Sequence, residues 1–125
     1  MDQTTQIIEK LFDAFSEVRY VAIYKDQRLS MKQKGHTSNN SSQETDKYEE
    51  LLVNPIILTS ARQRGNIDCG GLEYVLVSYG NFFQLIKELK GGHISICIEK
   101  NADLKNLPDQ IFILFQSISE GLFTI

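Results

Sequence analysis

Three short apolar runs, LEYVLVSY, FFQLIKEL and HISICIE, follow one another between Leu72 and Glu99, separated only by Gly80-Asn81 and Lys90-Gly91-Gly92. Connections of two or three residues cannot carry a chain across a sheet, so each run must pair antiparallel with its sequence neighbour. The spacing predicts a meander of strands at about 72–79, 82–88 and 93–99. In VLV and FFQLI both alternating sets of side chains are apolar, so helices must cover parts of both faces of the sheet.

The rest of the chain supplies those helices and two more strands. Ile7, Ile8, Leu11, Phe12, Phe15 and Val18 recur at helical period, which predicts a first helix at about 4–17. RYVAIY, a polar turn and LSMKQKG then read as a hairpin, with strands at about 19–24 and 28–34. The stretch HTSNNSSQET, residues 36–45, has no apolar side chain to anchor it and is expected to be a mobile polar loop. Asp46 with Glu49 has the spacing of a capping box, so a second helix is expected from Asp46 to about Arg64, stopped by Gly65. Pro55 lies inside it and predicts a kink or a break. Leu107-Pro108 opens a third helix, whose stripe is Ile111, Leu114, Phe115, Ile118 and Leu122.

The order is αββαβββα, without repeat or linker: a single α/β (α+β) domain over residues 1–125, with a five-stranded, mostly antiparallel sheet and helices on both faces. A chain of this size can bury a core without disulfides or metal, so Cys69 and Cys97 are expected to be reduced thiols in the cytoplasm. Formal net charge is -3, which gives no overall field to concentrate nucleic acid. No apolar run is long enough for a membrane span. The start, MDQTTQIIEKLFDAF, lacks the basic region of a leader peptide.

These elements resemble the roadblock/LC7 family, in the wider profilin-like group. The resemblance rests on a helix closing in Ala61-Arg62-Gln63-Arg64-Gly65, a strand led by Gly70-Gly71, the turn at Tyr79-Gly80-Asn81 and a glycine-led last strand. The chain departs from the family in Asn54-Pro55 inside the second helix, and in Lys25-Asp26-Gln27-Arg28 where the family has a glycine-rich turn. The resemblance implies a homodimer, or a heterodimer with a related roadblock protein, paired through strand 3 and helix 2. It also implies a partner, scaffold or regulator of a small Ras-like GTPase or of a motor complex. The residues expected at such a dimer interface are Tyr48, Leu52, Ile56, Glu73, Val75, Val77 and Tyr79, while Arg62 and Arg64 suit the dipole of a helix end or, alternatively, form a partner surface. Strand 3 ends the meander, and only Glu73 opposes edge-to-edge pairing there. The alternative reading is a profilin-like sensory domain that binds a small ligand between the sheet and the first and third helices.

Catalytic readings find little support. The glycines at 65, 70 and 71 follow a helix and precede a strand, the reverse of a phosphate-binding loop. Cys69 with Asp68 and either His36 or His93 lies beyond a helix C-terminus, where nothing lowers a thiol pKa. Cys69, Cys97, His36 and His93 lack chelating spacing for zinc. Neither Glu49 with Glu50 nor Asp103 with Asp109 is tied to a cleft by its spacing, and Phe82 and Phe83 must point to opposite faces, which leaves no stacking platform for bases. The expectation is a non-enzymatic domain with no cofactor, no metal and no nucleic-acid partner.

Overall fold

The computed structural model describes residues 3–35 and 42–119. Five strands form a single sheet in the order β2-β1-β5-β4-β3, with every pair antiparallel. They span Val18–Lys25 (β1), Arg28–Gln33 (β2), Val75–Ser78 (β3), Phe82–Leu89 (β4) and Gly92–Glu99 (β5). The expected meander is therefore present and forms one half of the sheet, with β3 at the edge.

Helices α1 (Gln3–Ala14) and α4 (Leu107–Ser119) cover one face. Their stripes meet Val21, Ile23, Leu85, Ile94, Ile96 and Ile98 in one apolar core that includes Ile7, Leu11, Ile111 and Phe115. The first helix stops at Ala14, three residues before the expected end, because the chain turns through Phe15 to reach β1; the amide of Val18 donates to the Phe15 carbonyl at 3.2 Å. Leu122, His36 and residues 36–41 of the polar loop lie outside the described residues.

The opposite face carries one long helical segment: α2 (Gln43–Tyr48), a π turn (Glu49–Val53) and α3 (Asn54–Asp68). Backbone angles at Tyr48, Val53 and Asn54 are all right-handed helical, so the segment is continuous. The break expected at Pro55 is thus a widened turn directly before it, one way to accommodate a residue that has no N–H to donate.

Both expected ends of this helix need correction. Its cap is Ser42, whose hydroxyl accepts from the amide of Thr45 at 3.2 Å, while Asp46 lies inside the helix and is buried. Gln43–Thr45, expected in the mobile loop, is therefore helical. At the other end the helix passes Gly65 and continues to Asp68. Gly65 is small because the chain folds back over it: an added Cβ would lie 3.2 Å from the backbone of Gly71 and Leu72. The reversal itself is made by Gly70 and Gly71, with φ of 82° and 93°. Strand β3 consequently starts at Val75, and Glu73 and Tyr79 flank it instead of lying within it.

The β1–β2 turn is Asp26-Gln27, with φ of 51° and 69°, the two positive values a tight two-residue hairpin requires. Gly92, opposite Lys25, is constrained by space: a Cβ there would stand 1.7 Å from the Tyr24 carbonyl oxygen. Gly80, in the β3–β4 turn, faces open space. Gly92→Ala is expected to lower stability by about 1–3 kcal/mol or more through overpacking, whereas Gly80→Ala should stay within about 0.5 kcal/mol. Urea unfolding of the two variants checks this, and equal midpoints would contradict it.

Candidate functional site

The long helical segment faces the sheet with the wrong chemistry for an amphipathic helix. Its inward row, four residues apart, is Asp46, Glu50, Asn54 and Leu58, all buried. Tyr48, Leu52 and Ile56, also four apart, lie 61%, 45% and 57% exposed, with Leu51 exposed beside them. Polar groups are turned inward and apolar groups outward.

The inward row is held by hydrogen bonds. Glu50, only 1% exposed, accepts from Tyr20 Oη at 3.0 Å, from Asn54 Nδ2 at 3.0 Å and lies 2.8 Å from His93 Nε2. Tyr20 and His93 come from β1 and β5, so the carboxylate ties the helix to two central strands. Such satisfaction is what a buried carboxylate requires. Burial, reinforced by Glu50, raises the Tyr20 hydroxyl far above its ordinary pKa, so it stays a donor at all physiological pH. Beside it, Gln84 Nε2 donates to Ser95 Oγ at 2.7 Å, while Gln84 Oε1 and Asn54 Oδ1 are buried without a hydrogen-bond partner among the described residues.

Around these groups lies a cleft of about 120 Å³, at the end of the sheet where β1 and β4 begin and β2 and β5 finish. Arg19, Tyr20, Asp46, Glu49, Glu50, Phe82, Gln84 and Cys97 are among the residues that line it. Arg19 is paired with Glu99 at 2.8 Å and stacks over the Phe82 ring, 5.4 Å from its centroid. The cleft is on the helix-segment face; on the other face Ile7, Leu11, Ile111 and Phe115 pack against the sheet, and an open pocket beside the start of α1 is lined by Gln3, Thr4, Ile23, Lys25 and Arg28 among others.

The residues singled out in the sequence fall into separate places. Val75 and Val77 pair with Ile86 and Gln84, and so lie on the sheet face that the long helix covers, half-buried at the edge. Arg62 is bound to Glu88 of β4 at 3.1 Å and fastens α3 to the sheet, while Arg64 pairs with Asp68 on the surface at 2.6 Å. Cys69 is exposed with its thiol toward Asp68 Oδ1 at 3.4 Å, whereas His93 is buried against Glu50. Burial raises the Cys97 thiol well above its ordinary pKa, which keeps it an inert core group. Phe83 joins the α1/α4 core and Phe82 the opposite face, as strand alternation demands. Among the described residues no three His, Cys, Asp or Glu side chains are grouped to hold a metal ion, and no helix is long and apolar enough to cross a membrane.

Sequence reasoning missed Tyr20 and Gln84, and weighed Glu50 and His93 only in groupings that the structure does not form. The available signal was the second row, Asp46, Glu50, Asn54, Leu58, which runs opposite the apolar one and ends in a leucine suited to the sheet.

No family model and no curated protein matches the chain. Solved structures do. The fold is similar to the roadblock/LC7 domain from Streptomyces avermitilis, with a TM-score of 0.70 and 12% identity over 94% of this chain and 95% of that one. It is also similar to MglC from Myxococcus xanthus, with a TM-score of 0.60 and 7% identity over 95% and 98% of the two chains. The chain thus has the roadblock/LC7 fold that its sequence resembles.

Glu49, half-buried at the cleft, carries a testable electrostatic consequence. Burial pushes its carboxyl above the usual glutamate range, the Gln84 amide offsets part of this, and the Glu50 and Asp46 carboxylates raise it further. The folded protein therefore keeps this proton to a higher pH than the unfolded chain. The stability it contributes is full below the unfolded glutamate pKa of about 4.3 and is lost as pH rises through the folded value. Glu49→Gln should accordingly match the native protein in Tm near pH 4 and exceed it at pH 7. A gap that is the same at both pH values contradicts the assignment.

Proposed function

We propose that this chain is a non-enzymatic protein-interaction domain that dimerises, with a second copy or a related roadblock protein, through β3 and the outer face of the long helix. In this reading it acts as a scaffold or regulator of a small Ras-like GTPase. The observation that carries the proposal is the outward row of Tyr48, Leu51, Leu52 and Ile56, apolar and exposed on a helix whose polar side is buried. A folded monomer gains nothing from that arrangement, whereas a partner would remove the patch from water. The edge strand supports the same surface. Val75 and Val77 share the sheet face of the helix, and among the described residues β3 is an edge strand, paired on one side only.

Within this reading Tyr48, Leu52, Ile56, Val75 and Val77 are interface residues, with Glu73 and Tyr79 at the two ends of the strand. Arg64, and to a smaller degree Arg62, offers cationic contacts where α3 ends. The GTPase role rests on the family resemblance and the shared fold. Its direct test is titration with a Ras-like GTPase from the same genome in GTP- and GDP-bound forms, where binding to neither removes it.

Sedimentation at micromolar concentration tests the dimer. The native chain should sediment as a dimer. Leu52→Glu combined with Ile56→Glu should sediment as a monomer, and Val77→Lys as a monomer or an aggregate. Because both helix residues are exposed within the protomer, unfolding of the monomeric double variant should change by about 0.5 kcal/mol or less per site. A monomeric native chain, or a double variant with unchanged dimer affinity, overturns the proposal.

A further inference from the structure

The cleft between the π turn and the sheet has a composition that the dimer reading does not use. Its acidic side chains outnumber its basic ones. Asp46, Glu49 and Glu50 contribute three carboxyl groups, and Arg19 is the single basic side chain among the described lining residues. Arg19 is already paired with Glu99 and stacked on Phe82. Glu50 is satisfied by Tyr20, Asn54 and His93, and Asp46 accepts from Gln33 Nε2 at 3.2 Å. Glu49 has no cation beside it among the described residues.

A second observation points the same way. Gln84 is 1% exposed, lines the cleft, and leaves Oε1 without a hydrogen-bond donor among the described residues. A buried amide oxygen left unmatched is destabilising by the full cost of its desolvation, and native folds retain few of them. What is missing is a donor. Tyr20 and Phe82 add aromatic surface of the kind that favours a cation. The free volume, about 120 Å³, is several times the ~10–15 Å³ that one water needs on the same measure.

We propose that this cleft is a binding site for a small organic cation, a guanidinium or primary ammonium group, which donates to Gln84 Oε1 and pairs with Glu49. Asp46 and Glu50 provide the negative field, and Tyr20 and Phe82 form the walls. The planar fork of a guanidinium can donate to the amide oxygen and the carboxylate together, which makes it the better fit of the two. The site is independent of the dimer surface, since it lies on the inward side of the helix whose outward side carries Leu52 and Ile56. The same headgroup can come from a free metabolite or from an arginine or lysine side chain of a protein.

Glu49 then has opposed roles: it is held in an unfavourable environment in the empty protein and is the counter-charge in the occupied one. The two predict opposite effects of a single substitution, which a purely structural glutamate would not produce.

The test is an NMR titration of the full chain with methylguanidinium and with its neutral isostere methylurea, each to about 10 mM, well above a millimolar Kd. Methylguanidinium should shift the Gln84 side-chain amide and the backbone amides of residues 45–50, at least tenfold more tightly than methylurea. Glu49→Gln should raise Tm at pH 7 and weaken methylguanidinium binding at least tenfold. Gln84→Met, a second variant that removes the acceptor, should weaken it likewise. Agmatine binding more tightly than the peptide Gly-Arg-Gly identifies a free metabolite as the source, and the reverse order identifies a protein side chain; either supports the site. No shift at these residues, equal binding of methylurea, or undiminished binding by a folded Glu49→Gln protein overturns the proposal.

Discussion

The buried carboxylate of Glu50 is the interaction on which the arrangement of this molecule depends. Placed at 1% exposure between the long helix and the sheet, it is tolerable only because Tyr20 and Asn54 donate to it and His93 Nε2 lies within hydrogen-bond distance. Those partners come from β1, from β5 and from the helix itself, so the helix cannot rotate without leaving a buried polar group unmatched. That fixes which side faces the sheet. The apolar residues four apart from Tyr48 are then forced outward, where Leu52 and Ile56 stand exposed among the described residues. A polar constraint inside thereby creates an apolar surface outside.

The π turn belongs to the same constraint. Asn54-Pro55 interrupts the hydrogen-bond ladder just where Glu50 and Asn54 must both reach inward. A wider turn over Glu49–Val53 absorbs the missing proline N–H while both side chains stay on the sheet face. It also places Glu49 at the mouth of the cleft, next to Gln84. The two surfaces of the segment, an apolar outer row and a polar inner cleft, are thus consequences of one packing solution. Glu49 and Gln84 are the groups left imperfectly matched by it, and mismatched polar groups are where binding energy is available to a ligand.

The sheet, its turns, and helices α1 and α4 were legible in the sequence because each depends on local pattern: alternation bounded by glycine, or apolar residues at helical period. Tyr48, Leu52 and Ile56 could also be picked out, since their spacing marks one face. The ends of the long helix could not. Asp46 has the spacing of a cap, yet it is drawn into the interior by the sheet, and Ser42 in a low-complexity stretch supplies the cap instead. Gly65 carries the signature of a helix stop, but its smallness serves contact with Gly71 and Leu72, a tertiary fact invisible to local pattern. The Glu50 network was missed for the same reason: Tyr20, Glu50 and His93 are far apart in sequence, and each reads as an ordinary surface or strand residue on its own.

The central claim, that the outer helix row and the β3 edge together form a protein-binding surface, is open to direct measurement by hydrogen exchange of the β3 amides, residues 75–78, at high and at low protein concentration. A strand edge paired across a dimer is protected when the dimer forms and exposed when it dissociates. The account predicts slow exchange in β3 at high concentration, accelerating on dilution, while the central strands β1 and β5 stay unchanged. Exchange in β3 that is equally fast at both concentrations would contradict it.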